Sequence, residues 1–171
     1  MSFTIRPTRP EEAALLPAIE RSAGEAFRVY PDLAWLADGD DLPAEHHALR
    51  IAEGLSWVAV DAADAPFGFL IAERFEGALH IEELDVRQDR QGRGVGRALL
   101  RHVIAWARAE GLHAVTLTTF RDVAWNAPFY AREGFELLEG EAIDARLQAL
   151  LVAEADRGLK PEGRCAMRFG F

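Results

Sequence analysis

Residues 89–100 read Asp-Arg-Gln-Gly-Arg-Gly-Val-Gly-Arg-Ala-Leu-Leu, and this stretch decides the fold of the chain. No Cβ keeps a ligand away from the backbone at its three alternating glycines, Gly92, Gly94 and Gly96. The glycines run directly into an apolar helical pattern over residues 95–109. Because the first turn of a helix leaves partly positive N–H groups unpaired, the stretch predicts a loop that binds a pyrophosphate, with Arg93 and Arg97 as additional cations.

Two other glycine-rich loops do not fit this stretch. A dinucleotide-binding fingerprint, Gly-x-Gly-x-x-Gly, would need Gly or Ala at a position held by Arg97 or Leu99. A Walker A loop needs a lysine followed by Ser or Thr, and the stretch contains no lysine. The remaining alternative is a glycine-rich turn without a ligand. The pattern that fits is Gln91-x-x-Gly94-x-Gly96.

A second block begins at Asn126 and reads Asn-Ala-Pro-Phe-Tyr-Ala-Arg-Glu-Gly-Phe up to Phe135. It follows a predicted strand that ends in Thr-Thr-Phe at residues 118–120, and it carries Tyr130 on a short helix. In this order the two blocks resemble the acyl-CoA signatures of the GNAT superfamily of N-acetyltransferases. The resemblance covers residues 79–139 specifically and the rest of the chain only by the order of its elements.

Strands and helices interleave along the chain, although residues 25–52 carry aromatic residues without a clean period. The predicted strands cover residues 3–6, 57–61, 66–74, 79–86, 115–119, 135–138 and 164–169. The predicted helices cover residues 10–22, 43–53, 95–109, 126–133 and 142–155. The resemblance implies an α/β fold of the mixed α+β kind: a central, mostly antiparallel, twisted sheet of about six or seven strands, flanking helices and a βαβ unit that binds acyl-CoA. Residues 1–171 are predicted to form one domain.

The formal net charge of −9 argues against a nucleic-acid partner, which requires an excess of Lys and Arg opposite phosphate. The basic residues cluster once, around the glycine loop, at Arg87, Arg90, Arg93, Arg97 and Arg101. Such a cluster on an acidic chain indicates a small anionic ligand rather than a polymer.

Hydropathy and cysteine usage narrow the class of protein further. No apolar run approaches the roughly 20 residues of a membrane span, and the polar N-terminus does not match a secretion signal, so we expect a cytoplasmic protein that binds no membrane. Cys165 is the only cysteine, which leaves no intrachain disulfide. No metal is expected, because no ligand spacing connects the scattered histidines His46, His47, His102 and His113.

The resemblance implies acetyl-CoA as co-substrate and assigns its contacts by position. Leu84 and Val86, with Asp85 between them, would pair with the pantetheine arm like an added strand, and the N–H of Val86 would hold the oxyanion. The second block would contribute Asn126, which we also expect to cap its helix, together with Phe129 and Tyr130. The diphosphate would lie on Gln91, Gly92, Arg93, Gly94, Val95, Gly96 and Arg97.

Acetyl transfer to an amine needs a base, because an alkylamine with a pKa of about 10.4 holds its proton at neutral pH. Strand alternation places His80, Glu82 and Leu84 on one face, and Glu83 and Asp85 on the other. The resemblance favours Glu82 as the base, with His80 assisting. Glu83 is the reserve, because a bulge in this strand would reverse the faces.

The resemblance makes Tyr130 the general acid that returns a proton to the CoA sulfur. The leading hypothesis is direct transfer, within a ternary complex, to the primary amine of a small molecule. The alternatives are a peptide or protein amine as acceptor, and a non-catalytic sensor of acyl-CoA. An edge strand near residues 164–170 and an apolar helix at 145–153 would permit a homodimer. The resemblance implies an acceptor pocket at Phe27, Trp35, Thr119 and Phe120.

Overall fold

The computed structural model describes residues 2–171 and has the predicted mixed α/β class. The described residues form seven strands in one sheet, in the order β1-β2-β3-β4-β5-β7-β6, and five α-helices. The strands are β1 Thr4–Pro7, β2 Ser56–Val60, β3 Pro66–Phe75, β4 Ala78–Val86, β5 Ala114–Phe120, β6 Glu136–Leu138 and β7 Arg164–Gly170. The helices are α1 Leu16–Gly24, α2 Ala44–Ala52, α3 Val95–Ala109, α4 Ala127–Arg132 and α5 Ala145–Asp156.

Strand pairing is mostly antiparallel, as predicted. β1 pairs with β2, β2 with β3, β5 with β7 and β6 with β7 in antiparallel fashion. β4 and β5 pair in parallel, with Ala78 opposite Ala114 and His80 opposite Thr116, and α3 lies between them in the chain. The prediction of an edge strand near residues 164–170 is wrong, because β7 lies between β5 and β6.

Chain contacts divide the protein into two compact units. The first unit contains the residues up to Glu73 together with Glu82–Ala105, and the second contains Arg74–Ile81 together with Trp106–Phe171. That residues 1–171 act as one domain stays a prediction.

The core of the first unit forms between α1 and the sheet. Its buried side chains alternate along β2 and β3, and helical spacing brings two residues of α1 onto them. The cluster consists of Leu16, Ile19, Val58, Val60, Phe69 and Ile71. From α2, the ring of His47 packs edge-on against Phe69, with the ring centroids 5.2 Å apart. α1 and α2 therefore cover the same face of this part of the sheet.

The second unit is held by the full pairing of β5 with β7 and by α5. Leu138, Leu147 and Ala166 are buried together, with Ile143, Leu150 and Leu151 packed around them. Asp144 caps α5, because its side chain accepts a hydrogen bond of 2.8 Å from the N–H of Leu147.

The region without a clean period in the sequence is folded into short turns. Residues 10–15, 25–29 and 34–38 form 3-10 helices, so the helix predicted over residues 10–22 is correct only from Leu16. Such single turns bury few side chains in register and leave no helical period in the sequence. No helix among residues 2–171 has both the length and the apolar character that a membrane span requires.

Candidate active site

The glycine loop has the backbone that the sequence predicts. Gly92 and Gly94 have φ values of +71° and +80°, in the left-handed region that favours glycine. The amide of Ala98 donates to the carbonyl of Gly94 at 3.0 Å, which places the amides of Val95 and Gly96 in the first turn of the helix, where N–H groups have no acceptor within the helix. Apart from the glycines themselves, their chain neighbours and the backbone of α3, no atom of residues 2–171 lies within 4 Å of where a Cβ on Gly92, Gly94 or Gly96 would stand. The space in front of the loop is therefore open, which fits a diphosphate.

The first residues of the glycine loop are bonded to β3 and β4 of the first unit. The N–H of Arg87 donates to the carbonyl of Phe67 at 2.9 Å, and the guanidinium of Arg90 lies over the Phe67 ring at 5.2 Å. The side-chain amide of Gln91 donates to the carbonyl of Val86 at 2.9 Å. Gln91 thus ties the loop to the end of β4, and the amides that follow are held in a defined place.

The carboxylate of Glu82 is part of an ion-pair network. Its two oxygens accept from Arg50 at 2.6 and 2.9 Å, and His46 Nε2 lies 3.1 Å from Oε1. Arg50 also donates to Glu53 at 2.8 Å and Glu73 at 2.9 Å. Burial alone would raise the pKa of Glu82, but Arg50 and His46 together hold it below its ordinary value. Glu82 is therefore ionised and firmly paired, which makes it a weak base.

Residues at the end of β4 contact different helices of the first unit. Glu82 bonds to Arg50 of α2, and the charge of Glu20 on α1 acts on the carboxyl of Asp85. The Cγ2 of Val86 lies 3.3 Å from the position that a Cβ on Gly68 would take, and the side chain of Leu99 on α3 lies 3.5 Å from that same position.

Whether a bulge reverses the faces of β4, as the sequence analysis allowed for, stays a prediction. Glu83, Leu84 and Asp85 are all half-buried.

His80 lies in the second unit and is only 5% exposed. Its Nδ1 is 2.9 Å from the hydroxyl of Thr116 on the neighbouring strand. It lines a cavity of about 140 Å³ together with residues of α5 and of the turn before it, among them Asp144 and Arg146. This packing accounts for His80 without a catalytic role, and its assisting role stays a prediction.

The second signature block is built around Tyr130, which is 7% exposed. Its ring meets Phe129 at 5.1 Å and Phe135 at 5.6 Å between centroids. Asn126 precedes α4, but its side chain makes no capping hydrogen bond, so the predicted cap is wrong. Its Oδ1 is buried and has no hydrogen-bond partner among the described residues. A donor from a ligand would satisfy this oxygen, as the predicted pantetheine contact requires.

The residues predicted to line the acceptor pocket lie in both units. Phe27 is half-buried and Trp35 is 46% exposed, each in a 3-10 turn of the first unit. In the second unit Thr119 and Phe120 are buried, and Arg164 lies over the Phe120 ring at 4.5 Å. Their part in acceptor binding stays a prediction.

Two features of α2 were not predicted from the sequence. His46 and His47 were given no role, and neither was Arg50, which joins three carboxylates. A signal was available, since His46, Arg50 and Glu53 recur at the spacing of one helical face. The partner on β4 is more than thirty residues away and leaves no local pattern.

Comparison with known proteins gives the same assignment as the two blocks. A sequence model described as the Acetyltransferase (GNAT) family matches residues 17–135. The peptidyl-lysine N-acetyltransferase YjaB of Salmonella typhimurium is 26% identical over 144 residues, which cover 84% of this chain and 90% of that protein.

Solved structures show the same fold. The PaiA N-acetyltransferase of Thermoplasma acidophilum, in complex with coenzyme A, superposes with a TM-score of 0.72 at 16% identity over the full length of both chains. The ribosomal-protein-S18-alanine N-acetyltransferase of Escherichia coli superposes with a TM-score of 0.69 at 16% identity, covering 99% of this chain and 94% of that chain.

Proposed function

This chain belongs to the acetyltransferase (GNAT) family, and from that premise we propose that it transfers the acetyl group of acetyl-CoA to the side-chain amine of a lysine in a peptide or protein. The observation that carries the proposal is the open glycine loop at the start of α3, with left-handed Gly92 and Gly94. A loop of this kind binds the diphosphate of the acyl donor.

The choice of a peptide acceptor rests on two supports. The curated relatives at 26% identity are named peptidyl-lysine N-acetyltransferases. The net charge of −9 favours a cationic acceptor through electrostatic steering. The proposal therefore takes the peptide alternative over the small-molecule amine that the sequence analysis placed first.

The roles of the residues follow the chemistry of direct transfer. The N–H of Val86 stabilises the oxyanion, while the main chain of Leu84 and Val86 aligns the pantetheine arm. Tyr130 returns a proton to the departing thiolate, because a phenol and a thiol have comparable basicity. The loop from Gln91 to Arg97 holds the diphosphate, so the thioester is fixed before the amine arrives.

The test is an acceptor screen that measures thiol release from acetyl-CoA. Lysine-containing peptides with blocked N-termini are compared with the same peptides carrying Nε-acetyl-lysine, and with polyamines, aminoglycosides and free amino acids. We expect the highest kcat/KM with the unmodified lysine peptides and a single acetyl group on Nε by mass spectrometry. A small amine as the best acceptor would overturn the peptide assignment. Tight CoA binding without thiol release from any acceptor would favour the sensor alternative.

A further inference from the structure

Three carboxylates from three separate elements of the first unit lie in one region, where the N–H of Leu42, next to Asp41, donates to Glu20 Oε2 at 3.0 Å. Glu20 comes from α1, Asp41 from the segment before α2, and Asp85 from β4. The charges of Glu20 and Asp41 both act on the carboxyl of Asp85. One cation, Arg21, pairs with Asp41 from the solvent side, where its own side chain is 66% exposed. The cluster therefore contains more carboxyl groups than cations.

A fourth residue near these carboxylates, His47, has a ring without a hydrogen-bond partner in the described part of the chain. His47 on α2 is 0% exposed, and both of its ring nitrogens are without a hydrogen-bond partner among the described residues. Its Nε2 points at Glu20 Oε2 but stops 3.9 Å away, beyond hydrogen-bond distance. Because buried polar groups are rarely left unpaired, a small polar group is expected to fill this gap.

A carboxylate oxygen of Asp85 also lacks a hydrogen-bond partner: Oδ2 is buried and has none among residues 2–171. The side chains of Glu20 and Asp41 are 19% and 11% exposed, so both are partly open to solvent. Asp85 is also the residue immediately before Val86, whose N–H is the proposed oxyanion donor.

We propose that Glu20, Asp41, Asp85 and His47 form the subsite for the ammonium group of the acceptor, and that Asp85 takes its proton. The proposal rests on the proposed acetyl transfer for its chemistry, and it names the group that prepares the amine. It assigns Glu82 to holding α2 against β4 through Arg50.

Every proton in the proposed reaction has a donor and an acceptor. The acceptor enters as R–NH3⁺, and its ammonium gives one proton to the carboxylate of Asp85. The neutral nitrogen then attacks the thioester carbonyl carbon; the N–C bond forms and the C–S bond breaks. The second proton lost from nitrogen ends on the CoA sulfur, and the proton on Asp85 passes to solvent. Acetyl-CoA is the only co-reactant.

The acid–base properties of the cluster agree with this role. Burial, followed by the charges of Glu20 and Asp41, raises the pKa of Asp85 well above that of an ordinary carboxyl. Burial raises the pKa of Glu20 to about 7. Burial and the neighbouring His46 lower the pKa of His47, so its ring is neutral and able to accept a hydrogen bond from an ammonium. Glu82, with its pKa held low, is the poorer base.

An organic cation fits the cluster better than a metal ion. No group of three or more His, Cys, Asp or Glu side chains within residues 2–171 has the geometry to hold a metal. An ammonium has three N–H donors that reach separate acceptors, which suits oxygens and a ring nitrogen spread over α1, α2 and β4.

The test uses Asp85→Asn and Glu20→Gln, with Asp40→Asn as the matched control because Asp40 is an exposed carboxylate next to Asp41. The probe for binding is n-butylamine, which has the chain length of a lysine side chain, titrated without acetyl-CoA. We expect the dissociation constant of butylammonium to rise at least about 10-fold in D85N and E20Q and to stay within about twofold in D40N. CoA affinity and the melting temperature report whether each variant is folded.

Kinetic measurements distinguish a chemical role of Asp85 from a structural one. In the wild type, kcat/KM for a lysine peptide should rise with pH as Asp85 ionises. D85N should lose this dependence and about 100-fold in kcat/KM, whereas D40N should keep both. A folded D85N with the wild-type pH profile and amine affinity would overturn the inference while leaving acetyl transfer intact. If the wild type turned over no acceptor, the proposed function would fall, and the butylamine titration would still decide whether the subsite exists.

Discussion

Tyr130 is a buried phenol at the centre of an aromatic cluster with Phe129 and Phe135. Packing of this kind fixes the ring, and a fixed hydroxyl is what a proton transfer needs. Removing the hydroxyl keeps the ring and its contacts, so Tyr130→Phe separates the chemistry from the packing.

We predict that Tyr130→Phe lowers kcat for a lysine peptide by about 100-fold and leaves CoA affinity within about twofold. The control is Tyr30→Phe, since Tyr30 is the other tyrosine of the chain, and it should keep wild-type turnover. Single-turnover acetyl transfer checks the prediction. A Y130F rate within twofold of the wild type at every pH would contradict a general-acid role.

Glu82 leads to a stability prediction with a defined pH dependence. Its folded pKa is lower than the ordinary value of 4.5, so its contribution is present above about pH 4.5 and is lost as the pH falls through the folded pKa. At pH 7 we expect Glu82→Gln to lower the free energy of unfolding by about 2 kcal/mol, because Arg50 keeps Glu53 and Glu73 as partners. The difference from the wild type should shrink as the pH falls below 4.5.

Urea unfolding at pH 7 and pH 4 measures this difference. Glu53→Gln removes another partner of the same Arg50 at a more exposed position, and it should cost less than about 1 kcal/mol. If E82Q and E53Q lowered the free energy of unfolding equally at pH 7, or if the loss in E82Q were the same at both pH values, the network would not hold α2 to β4.

Among the elements of the fold, α3 has a glycine with a positive φ angle near each end, and substituting each of them tests the cofactor site. Gly94 and Gly111 have φ values of +80° and +74°, and beyond the adjacent residues an added Cβ meets no described atom within 4 Å at either position. Alanine therefore introduces similar backbone strain at both sites, about 1 kcal/mol. Gly94 lies at the start of α3, and Gly111 follows its end.

We predict that Gly94→Ala and Gly111→Ala lower the free energy of unfolding by similar amounts, but that only Gly94→Ala weakens CoA binding, by at least about 10-fold. The extra Cβ occupies the space that a phosphate would take, and the strain moves the amides away from it. Calorimetric titration with CoA measures the affinity. If both variants bound CoA as the wild type does, the loop would not be the phosphate site.

The elements differ in how far the sequence could predict them. The loop and α3 are local: their glycines and the buried Leu99 and Val103 follow from spacing alone, and the structure has both where they were predicted. The environment of Asp85 could not be predicted, because the charges that act on it come from Glu20 and Asp41, more than forty residues earlier in the chain. The 3-10 turns at residues 25–38 were missed because they have no period to detect.

On the scale of the whole molecule, the net charge of −9 should guide a cationic acceptor. At saturating acetyl-CoA we expect kcat/KM for an arginine-flanked lysine peptide to fall about 5-fold or more between 50 and 500 mM salt. A glutamate-flanked version of the peptide is the control and should show a smaller decrease. Equal salt dependence for the two peptides would remove steering as a support for a peptide acceptor.

An NMR titration of ¹⁵N-labelled protein with CoA tests most directly whether the glycine loop binds the diphosphate. The amides of Gly92, Gly94 and Gly96 should shift together and saturate at one CoA per chain, while the amide of Gly158, which follows α5, should not move. Pantetheine, which lacks the diphosphate, should leave these three amides unchanged. Saturable CoA binding that left the three glycine amides unperturbed, or no binding by folded protein, would contradict the central claim that this loop holds the diphosphate.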